Sequence, residues 1–578
     1  MATTRAATRF PTLPRFPTLP RFLALPQFPT LPQYPALPRI HIPRLCAYNG
    51  FACLGIIAMK EIILAIDVGT QSTRALAFLA DGTMLGKGQA KHEPAYHAPE
   101  LAWAEQNPEY FWDRVVVACK MLWETGTVTP DQIAAVCMTF QRNTVISLDA
   151  DGRPLRPAIV WLDQRRCSKP PQLPLHWRAA LNLAGAAWVV KRFQAESEIN
   201  WIAEHQPEIA RQTASYLLLS AYITLQMTGE KRDSVACTVG YMPFDFKKLA
   251  WASPLDWKWH ALAVTREQLP DLVAPGELLG TVTAQAAEAT GIPAGLPVIA
   301  GGSDKACEVL GSGCLEPHQG CIGYGTTATL NVDSEKYVEP VRLVPPYPSA
   351  QRGRYNLEYQ VFRGFWMVTW FKEQFAQLER QQAAERGLQP EQLLEELAMK
   401  VPPGSLGLTL QPYWTPGLVH PGPEAKGAII GFGSAHKKPH MYRALLEGLA
   451  YEMRAGRELI EARTKIPITK LVMCGGGSKS DLAMNITANV FGIAASRPST
   501  EEASGLGAAI LGAAGAGLYP TLQAATKAMT ATGQTFEPTP TETNRYNDLY
   551  QDVYKPLYRR LQPLYRAIRK IINYPPPP

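Results

Sequence analysis

Three things are scarce in this chain of 578 residues: paired cysteines, acidic charge near the N-terminus, and long apolar runs. Ten Cys are scattered with no C-x-x-C spacing, and Cys307, Cys314 and Cys321, seven apart, lack the His pair that a zinc site usually adds. The pattern reads as reduced, mostly buried thiols of a cytoplasmic enzyme rather than a disulfide framework. Residues 1–58 contain no Asp, Glu or Lys, but hold Arg5, Arg9, Arg15, Arg21, Arg39 and Arg44. Subtracting those six from the formal charge of +7 leaves +1 over residues 59–578, so the bulk of the chain gives no charge argument for a nucleic-acid or membrane partner. One stretch, Ala503 to Thr526, is uncharged for 24 residues, long enough for a bilayer span. It consists largely of Gly, Ala, Ser and Thr with Pro520 inside it, and reads as a tightly packed helix rather than a span.

At 46% hydrophobic and 19% charged, the composition is that of a globular protein with length for three to four domain-sized units. From Phe10 a six-residue repeat of the type Phe-Pro-Thr-Leu-Pro-Arg runs to Arg39. Prolines at that density cannot sustain a helix or an internal strand, so 1–58 is expected to be a disordered extension. They equally forbid the amphipathic helix of a transit peptide. Met59 stands just before Lys60-Glu61 and an apolar strand, and is read as the natural start. Mass spectrometry of the protein made from its native gene tests this; an intact peptide upstream of Met59 overturns it.

The chemistry-bearing residues cluster at turns. A strand, Ile62 to Ile66, runs into Asp67-Val-Gly69-Thr70-Gln71-Ser72-Thr73-Arg74, and a second apolar stretch, Ala75 to Leu79, returns. Such a turn gathers backbone N–H groups and hydroxyls that can hold phosphate, with Arg74 near and Asp67 able to hold Mg²⁺ through water; the alternative is an ordinary hairpin. A similar turn follows at Cys321-Ile-Gly323-Tyr324-Gly325-Thr326-Thr327, which suggests two halves closing over one polyphosphate. No Walker A motif competes. The nearest sequence, Gly475-Gly476-Gly477-Ser478-Lys479-Ser480, lacks the distant first Gly and the Gly-Lys pair, but stands between a strand (470–473) and a helical pattern (481–491) where a nucleotide can approach backbone.

Seven landmarks in order resemble the FGGY family of carbohydrate kinases, which includes glycerol, xylulose and gluconate kinases: Asp67 to Arg74, Ile159 to Arg165, Gly301-Gly-Ser-Asp304, Gly325-Thr326-Thr327, His440 to Tyr451, Gly475 to Ser478, and Glu502 to Ala509. The resemblance runs from about Ile62 to Tyr519. It implies an α/β, two-domain actin-like ATPase (ribonuclease H-like) fold with a central cleft, in accord with strand patterns alternating with helical ones. The expected domains are 59–303 for substrate and phosphate, 304–565 for nucleotide, and a tail over 566–578.

By that resemblance Asp304 is the base that takes the proton from the attacking hydroxyl; a plain helix N-cap is the competing reading. Gln141, Arg142 and Asn143, at the end of the apolar strand 133–138, should read substrate hydroxyls, with Trp161 as a flat wall or else as core. Gln141-Arg142-Asn143 resembles the Gln-Arg-Glu of glycerol kinases, but Asn in place of Glu removes a charge and puts glycerol itself in doubt. ATP should meet Thr70, Gln71, Ser72, Arg74, Gly325 and Thr326 through its phosphates, and Gly475, Gly476, Gly477 and Ser480 at the adenosine, with the small-residue helix from Ala503 behind. The implied reaction is phosphorylation of a small sugar, sugar acid or polyol with ATP and Mg²⁺, a ketopentose such as xylulose being only narrowly preferred. A glycerol-type polyol kinase and a catalytically silent sugar- and ATP-binding regulator are the alternatives. A homodimer fits families of this kind. Tyr546, Tyr550, Tyr554, Tyr558 and Tyr565 share one side of a C-terminal helix that Pro556 and Pro563 should kink or break; packing, not nucleic-acid binding, is the reading.

Overall fold

The computed structural model describes residues 61–417 and 421–573, so the expectations for residues 1–58 and Met59, and for the end of the tail from 574, lie outside the described residues. Two sheets organise the remainder. The first contains β1 (Ile62–Val68), β2 (Ser72–Phe78), β3 (Met84–Lys91), β4 (Ile133–Phe140), β5 (Leu278–Thr281) and β6 (Pro297–Ser303), in the spatial order β5-β6-β4-β1-β2-β3. The second contains β7 (Gln319–Tyr324), β8 (Ala328–Ser334), β9 (Tyr347–Pro348), β10 (Tyr355–Val361), β11 (Lys470–Cys474), β12 (Ala495–Pro498) and β13 (Thr532–Phe536), in the order β9-β10-β8-β7-β11-β12-β13.

The two sheets share one plan. In the first, β1 pairs antiparallel with β2 and parallel with β4, which is parallel to β6. In the second, β7 pairs antiparallel with β8 and parallel with β11, which is parallel to β12. The β1–β2 turn therefore corresponds to the β7–β8 turn, and the end of β4 to the end of β11. The carboxyl ends of such parallel strands are where α/β sheets bind ligands.

β1 is apolar at nearly every position because both its faces are covered. Leu64 and Ile66 pack with Phe111 and Val115 of helix α1 (Pro108–Glu124), whereas Ile63 and Ala65 face Leu506 and Ile510 of a helix much later in the chain. Between them, α2 (Asp304–Gly311) follows β6, and α3 (Lys438–Thr464) buries Tyr442, Leu445, Leu446, Leu449 and Met453 as the core of the second sheet. Next come α4 (Asp481–Phe491) and α5 (Ala503–Gly515), which carries the residues on Ile63 and Ala65.

The uncharged stretch from Ala503 is thus a buried helix, and no helix of the described residues is long and apolar enough to cross a membrane. It packs on β1, β4 and α2. Its glycines explain the choice of surface: a Cβ on Gly507 would strike the Cys307 carbonyl oxygen, and one on Gly311 would strike that of Ala503, so the two helices meet backbone to backbone.

The tyrosine series runs through a helix (Pro540–Asp548), a π-turn (Leu549–Tyr554) and α6 (Lys555–Ile572). All five rings are buried, and three of the hydroxyls reach buried acceptors: Tyr546 Oη donates to Glu447 at 2.8 Å, Tyr554 Oη to Glu452 at 2.6 Å and Tyr565 Oη to Gln411 at 2.9 Å. The expected break at the prolines does not occur. The wide π-turn immediately precedes Pro556, which falls in the first turn of α6, and Pro563 lies exposed inside that helix. The helix accordingly runs through residues 566–572, which the sequence reads as tail.

Candidate active site

Asp304 is the first residue of α2, and the N-cap is its neighbour: Ser303 Oγ accepts from Ala306 N at 3.4 Å. With the cap supplied, the Asp304 carboxylate accepts from its neighbour Lys305 N at 2.8 Å and stays 35% exposed. At the helix start a carboxylate has the helix dipole in its favour. The approach to this corner requires glycine, because a Cβ on Gly301 would collide with the Met138 carbonyl of β4. Enclosure raises the proton affinity of Asp304, and Arg142 and then Lys305 oppose that rise.

Arg142, two residues beyond β4, joins the sheets. Its guanidinium donates to both oxygens of Glu358 on β10, at 3.1 and 3.2 Å, while Nε stands 3.9 Å from Asp304 Oδ1. Its flat face covers Tyr347, 4.9 Å from the ring centre. Burial works against the guanidinium charge, but Glu358 and Asp304 outweigh it and hold the group above its ordinary range. Gln141 Oε1 accepts from Thr70 Oγ1 at 2.7 Å, and Trp161 Nε1 donates to the same hydroxyl at 2.9 Å. Gln141, Trp161 and the β1–β2 turn are thus one hydrogen-bonded unit; Trp161, half-buried, also packs against the first core.

Asn143 adopts φ 49°, a left-handed conformation that Asn tolerates better than most residues. Its Nδ2 donates to Glu198 Oε1 at 2.8 Å, so the carboxyl missing at 143 is present next door. Burial pushes Glu198 up to about 8, against the lowering by Asn143. Gln141 Nε2 and Asn143 Oδ1 are buried without a hydrogen-bond partner among the described residues, which leaves one donor and one acceptor for a hydroxyl-bearing ligand.

At the β1–β2 turn, Asp67 pairs with Arg74 across the strand register at 3.2 Å. Arg74 also bonds Glu502 at 2.7 Å, and Lys87 holds the other Glu502 oxygen at 2.6 Å. Burial pushes Asp67 up to about 6; Arg74 lowers it, and Asp304 and Glu502 raise it further. A carboxylate oxygen is the kind of hard donor that Mg²⁺ takes. Ser72 Oγ accepts from Gln89 Nε2 at 3.2 Å, and Gln71 is exposed at the turn.

At the β7–β8 turn a would-be Cβ on Gly325 meets only Thr327 O, at 3.7 Å, and Thr326 is exposed. At the third loop Gly475 has φ +79° with Tyr324 carbonyl oxygen 2.9 Å from a would-be Cβ, which ties the end of β11 to the end of β7. Gly476 faces open space, Gly477 lies under the Phe365 ring, and Ser480 Oγ caps α4 by accepting from Ala483 N at 3.0 Å. Hence the last two already have structural duties.

Sequence reasoning did not select Glu198, Glu358 or Lys87, and quoted Glu502 only inside a motif. Their roles come from partners 55, 216 and 415 residues away in sequence, which no local signal announces.

Sequence comparison matches the N-terminal domain of the FGGY family of carbohydrate kinases over residues 62–311 and its C-terminal domain over residues 320–516. The chain is 30% identical over 493 residues to the uncharacterized sugar kinase YgcE of Escherichia coli K12, covering 84% of this chain and 91% of that one. It is 27% identical over 503 residues to the xylulose kinase of Lactococcus lactis, covering 85% and 95%. Among solved structures, gluconate kinase from Lactobacillus acidophilus superposes with a TM-score of 0.71 at 21% identity, over 89% of this chain and 98% of that one.

Proposed function

Because the chain belongs to the FGGY family of carbohydrate kinases, enzymes that phosphorylate sugars or polyols with ATP, we propose that it transfers the γ-phosphoryl group to a hydroxyl of a small neutral sugar or polyol, with Asp304 as base. The observation that carries this reading is Asp304 itself, relieved of capping by Ser303, partly exposed and 3.9 Å from Arg142. A substrate hydroxyl at Asp304 gives its proton to the carboxylate as its oxygen bonds the γ-phosphorus; the bond from that phosphorus to the bridging oxygen breaks and ADP leaves. Gln141, Arg142 and Asn143 orient the substrate through hydroxyl hydrogen bonds, and Trp161 covers its carbon face.

Thr70, Gln71, Ser72 and Arg74 from one turn, with Gly325 and Thr326 from the other, would hold the phosphates, and Gly475, Gly476, Gly477 and Ser480 would border the adenosine. Mg²⁺, when bound with ATP, withdraws charge from the β- and γ-phosphates; Asp67 would hold it through water. A neutral substrate is favoured over a sugar acid because both arginines are already matched, Arg142 by Glu358 and Asp304, Arg74 by Asp67 and Glu502. Within neutral substrates, the Glu198 carboxyl beside Asn143 favours the polyol reading over what the sequence triplet alone suggests. The eight described cysteines are free and buried, in keeping with a cytoplasmic setting.

ADP release measured over a panel of ketoses, aldoses, polyols and aldonates tests the proposal. It fails if no compound raises turnover; the neutral-substrate part fails if an aldonate gives the highest kcat/KM.

A further inference from the structure

Beneath the turns, the strands and helix that present them converge on buried sulfur. Cys321 lies on β7, Cys474 is the last residue of β11, and Glu308 is one turn along α2 from Asp304. One ligand atom from each of these three residues lies within 4.8 Å of the other two. The two Sγ atoms are 3.7 Å apart. A tetrahedral centre with two metal–sulfur bonds of about 2.3 Å holds its sulfurs about 3.8 Å apart. Two thiols in simple contact could also reach this spacing, but the carboxylate closes the set on a third side. Parallel strands bring Cys321 opposite Val472, not Cys474, so the two cysteines face each other diagonally, a poor placement for a disulfide.

Charge decides whether a cation can be held there. Lys305 Nζ donates to both Glu308 oxygens, at 2.8 and 3.1 Å, so the carboxylate and ammonium already cancel. A divalent cation that replaces the two thiol protons adds two positive charges and creates two thiolates, which leaves the buried net charge at zero. A hard cation gains little from sulfur, whereas a thiophilic d¹⁰ cation suits this mixed set.

We propose that Cys321, Cys474 and Glu308 form a binding site for one thiophilic divalent cation of the Zn²⁺ type, separate from the Mg²⁺ that accompanies ATP. Each cation bound expels two protons, one from each thiol, with no change of oxidation state. The site links the β7–β8 turn, the Gly475 loop and the helix of Asp304, so an occupied site ties the three parts of the active site together from below.

Cd²⁺ is the probe. The full chain is taken through equilibrium dialysis against Cd²⁺ with Mg²⁺ in large excess, with thiolate-to-Cd²⁺ charge-transfer absorption and proton release recorded. One Cd²⁺ per chain, two protons released, and at least a tenfold weaker affinity in both Cys321→Ala and Cys474→Ala are expected, with Cys119→Ala unchanged. Absence of thiolate absorption in the unmutated chain overturns the proposal, and so does Cd²⁺ binding that both cysteine variants retain in full. Glu308→Gln provides a further arm: affinity equal to the unmutated chain removes Glu308 from the site and sinks the three-donor assignment. The absorption and the proton count on the unmutated protein decide the matter even if a variant fails to fold.

Discussion

Arg142 grips Glu358 through two N–H···O bonds across 216 residues of sequence, and the same guanidinium looks onto Asp304. One side chain thereby sets the distance between the end of β4 and β10. A forked, charge-assisted pair of this kind tolerates neither a shorter nor a less planar partner.

Glu358→Gln should therefore raise the KM for the sugar by about ten- to a hundredfold, in line with loss of roughly 1.5–3 kcal/mol from a charged hydrogen bond. The KM for ATP should stay within about twofold. Steady-state kinetics with each substrate varied in turn checks this, and an unchanged sugar KM refutes the positioning role of the fork.

Asp304→Asn keeps the size of the side chain and removes its basicity. Sugar-dependent turnover should fall by at least about a hundredfold. ATP binding by calorimetry should persist. Full sugar-dependent turnover in this variant would sink the assignment of the base.

Glu198 carries a stability signature. Its carboxyl is raised from 4.5 to about 8 in the folded chain, so the native state binds the proton more tightly than the unfolded one. The corresponding stability is fully present below about pH 4.5 and is lost as pH rises through about 8. Urea unfolding midpoints between pH 5 and pH 9 should decline less steeply in Glu198→Gln than in the unmutated chain. Parallel declines would mean that Glu198 ionises freely.

Gly507→Ala places a methyl group on the Cys307 carbonyl oxygen. Alanine improves helix propensity by about 1 kcal/mol, but overpacking at a backbone contact costs about 1–3 kcal/mol, and here the obstacle cannot turn aside. The variant should unfold at lower urea concentration; an unchanged or higher midpoint would show that α2 and α5 have slack between them.

Much of this was legible from local pattern. The hairpins at Asp67 and Gly325 show as apolar strands around small polar turns, and the Gly301-Gly302-Ser303-Asp304 junction shows as strand, close approach and helix start. The cap itself was not legible: Ser and Asp are both good N-caps, and only the backbone assigns the duty to Ser303. The pairing of Arg142 with Glu358 was hidden because tertiary contact, not spacing, creates it. The prolines of the C-terminal helix misled for a physical reason, since their cost depends on exposure and on the turn before them. For the Ala503 helix, glycines announce close packing without saying against what: Ala503 packs with Val472 and Cys474 just before the Gly475 loop, while the rest of the helix covers β1, β4 and α2.

α5 carries no charged side chain from Ala503 to Gly515, and its approach to α2 is set by carbonyls and glycine Cα atoms. Added salt has no charge to screen on the α5 side of that contact, whereas the Arg74–Glu502 and Lys87–Glu502 contacts near the β1–β2 turn are built of charges that salt can weaken. Ionic strength should therefore act at the rim of the active site and leave its pivot alone.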